Sequence, residues 1–319
     1  MTSDFHHSFI TVNQLRYHLV TCGEGPLVLF THGFPESWYS WRNQLPALAE
    51  AGYRAVAVDM PGYGKTDKPE DPSRYNQIAI SDDMAAIADS LGYDTFVSVG
   101  HDWGAPTAWN TALRFPDRVR AVVGMSIPYG GRSLTPPTQG FKRLFSDCFF
   151  YMLYFQTPGV AEAELESDIP RFLRSFWWSS SVEGKGGFDT TSVGADKALF
   201  DAMPDPGQLP AFISEEEADY YRSEFTQNGL RGPLNYYRNL DRNWELSESY
   251  KDATVTQPSL FLYGDCDPIP HVGGEFKRMK ESLPKLTTKL IENCGHWTQQ
   301  EQPETVNRHL IEFLQQLPK

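Results

Sequence analysis

The sequence predicts an α/β architecture: a mostly parallel sheet flanked by helices, with a helical cap inserted between core strands. Three observations predict it. Short apolar runs alternate with helix-like stretches from Leu15 to Ser126. The same rhythm returns from Ser259 to the C-terminus. Between them, aromatics, prolines and glycines are dense and no parallel-strand run is evident, as expected of an insertion at the carboxyl ends of the strands.

Leu15–Val20 and Leu27–Thr31 are short runs rich in apolar residues and read as strands. Ser37–Glu50 reads as a helix carrying Trp38, Trp41 and Leu45 on one face. Tyr53–Val58 is a strand ending at Asp59, and Met60-Pro61-Gly62-Tyr63-Gly64 is a loop. Ile78–Leu91 is a helix stopped by Gly92. Phe96–Val99 is a strand, Ala105–Leu113 a helix and Val119–Ser126 a strand. After the insertion come the strand Ser259–Tyr263, a helix near Gly274–Ser282, the strand Thr288–Glu292 and a final helix, Pro303–Leu317. The expected division is therefore core 1–128, cap 129–244 and core 245–319.

Composition narrows the function. A chain of 319 residues, 40% hydrophobic and 13% aromatic, suits one α/β core carrying one insertion. A net charge of −13 argues against a nucleic-acid or anionic-membrane partner. No apolar run reaches the roughly 18 residues of a membrane span, and Met1–Ile10 lacks the apolar stretch of a signal peptide. The pair His6-His7 reads as solvated terminus rather than metal site. Cys22, Cys148, Cys266 and Cys294 lie far apart, with no C-x-x-C pair. They are expected to be free thiols in a reducing compartment, so the expected location is cytoplasmic. The expected assembly is a monomer or homodimer.

The most informative segment is Gly100-His101-Asp102-Trp103-Gly104, between an apolar strand and a helix. A strand–turn–helix of this pattern with serine at the middle position is a nucleophile elbow, which exposes one side chain at the top of a sheet. Here that side chain is a carboxylate. Serine attacking a saturated carbon would form an ether that water does not readily cleave. A carboxylate forms an ester, which water hydrolyses at the carboxylate's own carbonyl. An Asp elbow therefore points to displacement at an sp3 carbon.

The ester must then be hydrolysed. In hydrolases built on such an elbow the chain order is nucleophile, acid, histidine. Asp265 and Asp267 follow the strand Leu260–Tyr263, and His296 follows the strand ending at Glu292. Asp267 is the expected acid, since Gly264-Asp265 suits the turn and Pro268 holds its neighbour extended. The oxyanion hole should come from the backbone N–H groups of Trp103 and Phe34, the latter in the loop His32-Gly33-Phe34-Pro35.

These motifs, with Tyr154-Phe155-Gln156-Thr157-Pro158-Gly159-Val160-Ala161-Glu162 and Arg231-Gly232-Pro233-Leu234-Asn235-Tyr236-Tyr237-Arg238 in the insertion, resemble the soluble epoxide hydrolases of the α/β-hydrolase superfamily. The resemblance extends from His32 through Gly295-His296-Trp297-Thr298. It covers the hydrolase domain of the mammalian enzyme but not that enzyme's N-terminal phosphatase domain. It implies that Tyr151 and Tyr237 hold and protonate the epoxide oxygen, as a neutral phenol can. Tyr154 stands beside the first and Tyr236 beside the second; Tyr220 and Tyr221 are further rivals. The implied reaction is hydrolysis of a lipophilic epoxide to a vicinal diol. Its partners are the epoxide and water, and it needs no metal or organic cofactor.

Two alternatives share the framework. A haloalkane dehalogenase would use the same Asp-His-Asp chemistry, with the Trp103 indole on the halide, but would leave a tyrosine pair unexplained because halide departs without a proton. A non-catalytic small-molecule receptor on this fold would have no need of Asp102 and His296.

Overall fold

The structure, a computed structural model, describes residues 5–185, 192–271 and 274–318. Its strands are β1 (His6–Val12), β2 (Leu15–Cys22), β3 (Leu27–Thr31), β4 (Arg54–Val58), β5 (Phe96–His101), β6 (Val119–Met125), β7 (Ser259–Gly264) and β8 (Leu286–Ile291). They form one eight-stranded sheet in the order β1-β2-β4-β3-β5-β6-β7-β8. β2 pairs antiparallel with β1 and with β4, and every other pairing is parallel.

The helices follow from the crossovers that parallel strands require. Around the first half of the sheet run α1 (Gln44–Glu50), α2 (Gln77–Ser90) and α3 (Gly104–Arg114). Between β6 and β7 lie α4 (Pro137–Leu144), α5 (Tyr151–Tyr154), α6 (Val160–Leu165), α7 (Ile169–Ser180), α8 (Leu199–Ala202), α9 (Glu215–Asn228), α10 (Arg231–Arg238) and α11 (Leu240–Leu246). The chain then adds α12 (Glu275–Ser282), α13 (Thr298–Glu301) and α14 (Pro303–Gln315). Among the described residues no helix is long and apolar enough to cross a membrane.

Alternation along the strands builds a core on each face. Leu27 and Leu29 point to a layer with Val56, Ile80, Met84 and Trp109. Val28 and Phe30 point the other way, to Trp41, Leu45, Leu48 and Leu310. β5 is buried along its whole length, so the elbow at its end is held between two packed layers.

Two segments differ from the sequence reading. The expected helix Ser37–Glu50 divides into a 3-10 turn, Trp38–Trp41, and α1. Pro46 is the reason: it has no N–H to donate to the Arg42 carbonyl, and its ring would collide with it. Residues 6–12 form a strand rather than a tail, with His6 and His7 exposed on it. His6–Val12 pairs in register with Leu15–Thr21, through a two-residue turn in which Asn13 and Gln14 take φ of 46° and 69°. Two successive positive φ values are the signature of the tight hairpin turn that suits strand twist. His7 is tied into the protein, its Nδ1 2.9 Å from Nε2 of His18.

The glycines at the ends of the elbow are required by crowding. A Cβ on Gly100 would lie 1.9 Å from the Gly104 carbonyl oxygen, and one on Gly104 would lie 2.0 Å from that of Thr31. All of these atoms are backbone, so relief requires moving β3, β5 or α3. Gly104→Ala is expected to lower stability by about 1–3 kcal/mol through overpacking. Chemical denaturation measures it, and an unchanged midpoint would show that the elbow has room.

Candidate active site

The site assembles at the carboxyl ends of β3, β5, β7 and β8. Asp102 follows β5 in the left-handed region, φ 48°, which is uncommon for a residue with a Cβ. The conformation lifts its side chain out of the strand before α3 begins. Gly33 makes space for it, since a Cβ there would fall 2.3 Å from that of Asp102. Asp102 Oδ1 accepts the Phe34 N–H at 2.8 Å. Its Oδ2 lies 3.4 Å from His296 Nε2. Trp103 takes the N-cap position of α3.

His296 stands between two carboxylates. Its Nδ1 faces Asp267 Oδ2 at 3.1 Å, and Asp267 Oδ1 accepts the Ile269 N–H at 3.0 Å. Asp265 does something else: its carboxylate accepts the Asn293 and Cys294 N–H groups at 3.1 and 3.0 Å. It thereby splices the end of β7 to the loop that carries His296. Burial disfavours a charged imidazole here, but the charge of Asp267 and the hydrogen bonds and charge of the two carboxylates outweigh it. His296 is pushed up to about 10.

The histidine loop is fixed from below and above. The His296 carbonyl accepts from His101 Nε2 and Ser126 Oγ, both at 2.7 Å. Its N–H donates to Ser180 O, at the end of α7, at 2.8 Å. Glu301 accepts the N–H groups of Gly295, Trp297 and Val182 at 2.9, 3.0 and 3.0 Å, stitching this loop to the segment after α7.

Glu36 and the ring of His101 were not singled out from the sequence. Glu36 is fully buried. Its Oε2 accepts from Gly33 N at 2.7 Å and from His101 Nδ1 at 2.8 Å. Its Oε1 accepts from Gln299 and Gln300 at 2.9 and 3.1 Å. His101 thus presents one ring nitrogen to the Glu36 carboxylate and the other to the His296 carbonyl. Burial opposes the Glu36 charge, but His101 outweighs it and brings the carboxyl down to about 2. Local sequence gives no signal for this pair; its only trace is a Glu placed just after the His32–Pro35 loop.

The structure separates the cap tyrosines by what their hydroxyls touch. Tyr154 donates to Glu164 at 2.8 Å and Tyr236 to the Pro61 carbonyl at 3.1 Å. Tyr220 accepts from Trp38 at 2.7 Å, and Tyr221 lies 2.9 Å from Ser40 Oγ. Tyr151 and Tyr237 face each other, ring centroids 5.9 Å apart, and Tyr237 also hydrogen-bonds the Trp103 side chain. Tyr237 stands edge-on to Trp103 at 5.0 Å and to Phe34 at 5.4 Å. Burial pushes both phenols far above the usual range, and the Asp102 charge adds to the effect in each. Both are neutral donors at any physiological pH.

An aspartate elbow on this sheet, with an acid–histidine pair behind it, defines an α/β-hydrolase-fold enzyme. Residues 26–151 match the family model described as the alpha/beta hydrolase fold. The chain is 41% identical to epoxide hydrolase A of Mycobacterium tuberculosis, over 96% of each protein. It is 40% identical to the mouse bifunctional epoxide hydrolase 2, covering 98% of this chain and 56% of that longer protein. Among solved structures it superimposes on epoxide hydrolase A of Mycobacterium thermoresistibile with a TM-score of 0.92 at 41% identity, over 99% of both chains. For potato (Solanum tuberosum) epoxide hydrolase I the TM-score is 0.85 at 35% identity, over 98% of this chain and 99% of that one. The chain belongs to the epoxide hydrolase family.

The histidine's pairing has a pH signature. Its folded value of about 10 exceeds the ordinary 6.5, so the imidazolium stabilises the fold fully below about pH 6.5, and that contribution is lost as pH rises through about 10. The melting-temperature advantage of the parent over Asp267→Asn is therefore expected to be full near pH 6 and to shrink toward pH 10. An advantage that grows with pH would contradict the pairing.

Proposed function

We propose that this protein hydrolyses lipophilic epoxides to vicinal diols through an ester on Asp102. The observation that carries the reading is one carboxylate set between an N–H donor, an imidazole and two neutral phenols. The names of the relatives support the same reaction. Residues 129–244 act as a cap that brings the phenols over the core.

Ring opening comes first. Tyr151 and Tyr237 hydrogen-bond the epoxide oxygen, and Asp102 Oδ2 attacks a ring carbon as the carbon–oxygen bond breaks. Asp102 Oδ1, on the Phe34 N–H, remains as the ester carbonyl. The departing alkoxide takes a phenol proton, a step that general acid catalysis accelerates.

Ester formation also changes His296. The charge of Asp102, one of the forces holding the imidazolium, is gone, while burial continues to disfavour it. The imidazolium proton returns the phenolate to phenol, which leaves His296 neutral and able to act as base. It takes a proton from water, oriented by Asp267, and the water oxygen attacks the Asp102 carbonyl. The N–H groups of Phe34 and Trp103 hold the oxyanion. Collapse releases the diol and regenerates the Asp102 carboxylate beside imidazolium, so protons and charges balance over the cycle. Residues and water supply every group this scheme uses.

His296→Gln is expected to form the ester and fail to break it. Mass spectrometry after incubation with styrene oxide should show the added mass on the Asp102 peptide, and an unmodified peptide would refute the scheme. Asp102→Ala should yield no diol. Tyr237→Phe should slow ester formation by about 10²-fold or more, the usual worth of a general acid. Halide release from haloalkanes, without diol from any epoxide, would instead establish the dehalogenase reading.

A further inference from the structure

We propose that Gln156 is a positioning residue that sets the separation of the two phenols. This rests on the tyrosine roles proposed above. Tyr151 begins α5 and Tyr237 lies near the end of α10, 86 positions along the chain from it. Nothing in the covalent chain fixes the distance between them.

Gln156, just beyond α5, spends its side-chain amide on this gap. Its Nε2 donates to the carbonyl of Met152, the residue after Tyr151, at 2.7 Å. The same nitrogen donates to the carbonyl of Tyr237 itself at 2.9 Å. Both amide protons are thus directed at backbone oxygens within one residue of a proposed oxyanion-binding phenol. Arg238 reinforces the same seam: its Nε donates to Phe155 O at 3.1 Å and its Nη2 to Glu162 at 2.9 Å.

The aromatic contacts across the seam cannot do this alone. Tyr237 meets Phe155 at 5.0 Å and Tyr151 at 5.9 Å, both edge-on. Edge-on rings tolerate sliding, whereas two N–H···O bonds from one planar amide weaken steeply when the carbonyls shift. Gln156 therefore fixes the register of α5 on α10, and with it the pocket that both hydroxyls make for the epoxide oxygen. That geometry matters while the ring opens. Ester hydrolysis uses Asp102, His296 and Asp267, which stand on loops at the strand ends and not on the seam.

The test separates the two steps. Gln156→Met keeps length and removes both donors. In single turnovers with styrene oxide, ester formation is followed by tryptophan fluorescence and by the mass of the quenched protein; ester decay is followed afterwards. Ester formation is expected to slow about 10- to 100-fold, the scale of a misplaced reacting group. Ester hydrolysis is expected to stay within about twofold of the parent, with the melting midpoint moved by only a few degrees. Gln156→Ala, should the first variant fold poorly, is expected to give the same split. Unchanged rates for both steps would overturn the proposal, as would equal slowing of both, which is the mark of general loosening. If the parent forms no Asp102 ester, or Tyr237→Phe forms it at the parent's rate, the tyrosine roles fall and this proposal with them. That result is read from proteins that retain Gln156, so the two failures are distinguishable.

Discussion

The site depends on a buried carboxylate–imidazole pair. Glu36 and His101 meet beneath the elbow with no exposed surface on either side chain. Through four acceptor contacts and one more from the His101 ring, they join the loop after β3, the end of β5 and the carbonyl of His296. Such a pair is not a cheap source of stability, because burying polar side chains costs desolvation before their attraction offsets it. What it supplies is specification. Its partners lie on several segments, with Gly33 after β3, His296 after β8 and Gln299 and Gln300 in α13, so the loops that carry Phe34, Asp102 and His296 are located relative to one another.

Above that pair the chemistry is arranged by charge. One imidazole lies between two carboxylates, Asp102 at 3.4 Å and Asp267 at 3.1 Å. Only Asp102 would change its charge in the proposed reaction; Asp267 keeps its own throughout. The same histidine can therefore hold a proton while the nucleophile is free and release it once the nucleophile is esterified. The phenols behave oppositely. Burial keeps them neutral, which makes them donors in a dry environment where an alkoxide has no solvent to protonate it.

The cap joins this arrangement through hydrogen bonds to backbone groups and through aromatic packing. His296 N–H reaches Ser180 at the end of α7, Trp297 donates to Trp177 O at 2.8 Å, and Tyr236 donates to Pro61 O. Phe34 meets Phe155, Phe172, Phe176 and Tyr237 at once. The residue whose N–H holds Asp102 thus also anchors the cap. The aromatic density of the insertion divides accordingly: Trp177 and Phe149 are buried packing, whereas Phe145 and Phe150 stack on each other at 4.0 Å near the start of α5.

Local pattern was enough for the β/α rhythm, the Asp elbow and the order Asp102, Asp267, His296, because strand ends, tight turns and helix starts are written in neighbouring residues. It favoured Asp267 over Asp265, since a proline and a glycine mark their different backbones, and Asp267 is the one that faces His296. It failed where partners lie far apart. β1 escaped notice because its hairpin turn is Asn-Gln rather than a glycine turn. Glu36 binds Gln299, 263 positions away, and no spacing rule connects them. Tyr151 and Tyr154, or Tyr236 and Tyr237, are the same residue to the sequence. They differ only in what faces them: Glu164 and Pro61 O take one of each pair, and the other two meet each other near Asp102. The sequence by itself determined which chemistry is available and where along the chain it sits. Tertiary packing alone decided which tyrosines stand beside Asp102 and which are tied to Glu164 and Pro61, because those neighbours are brought from distant segments.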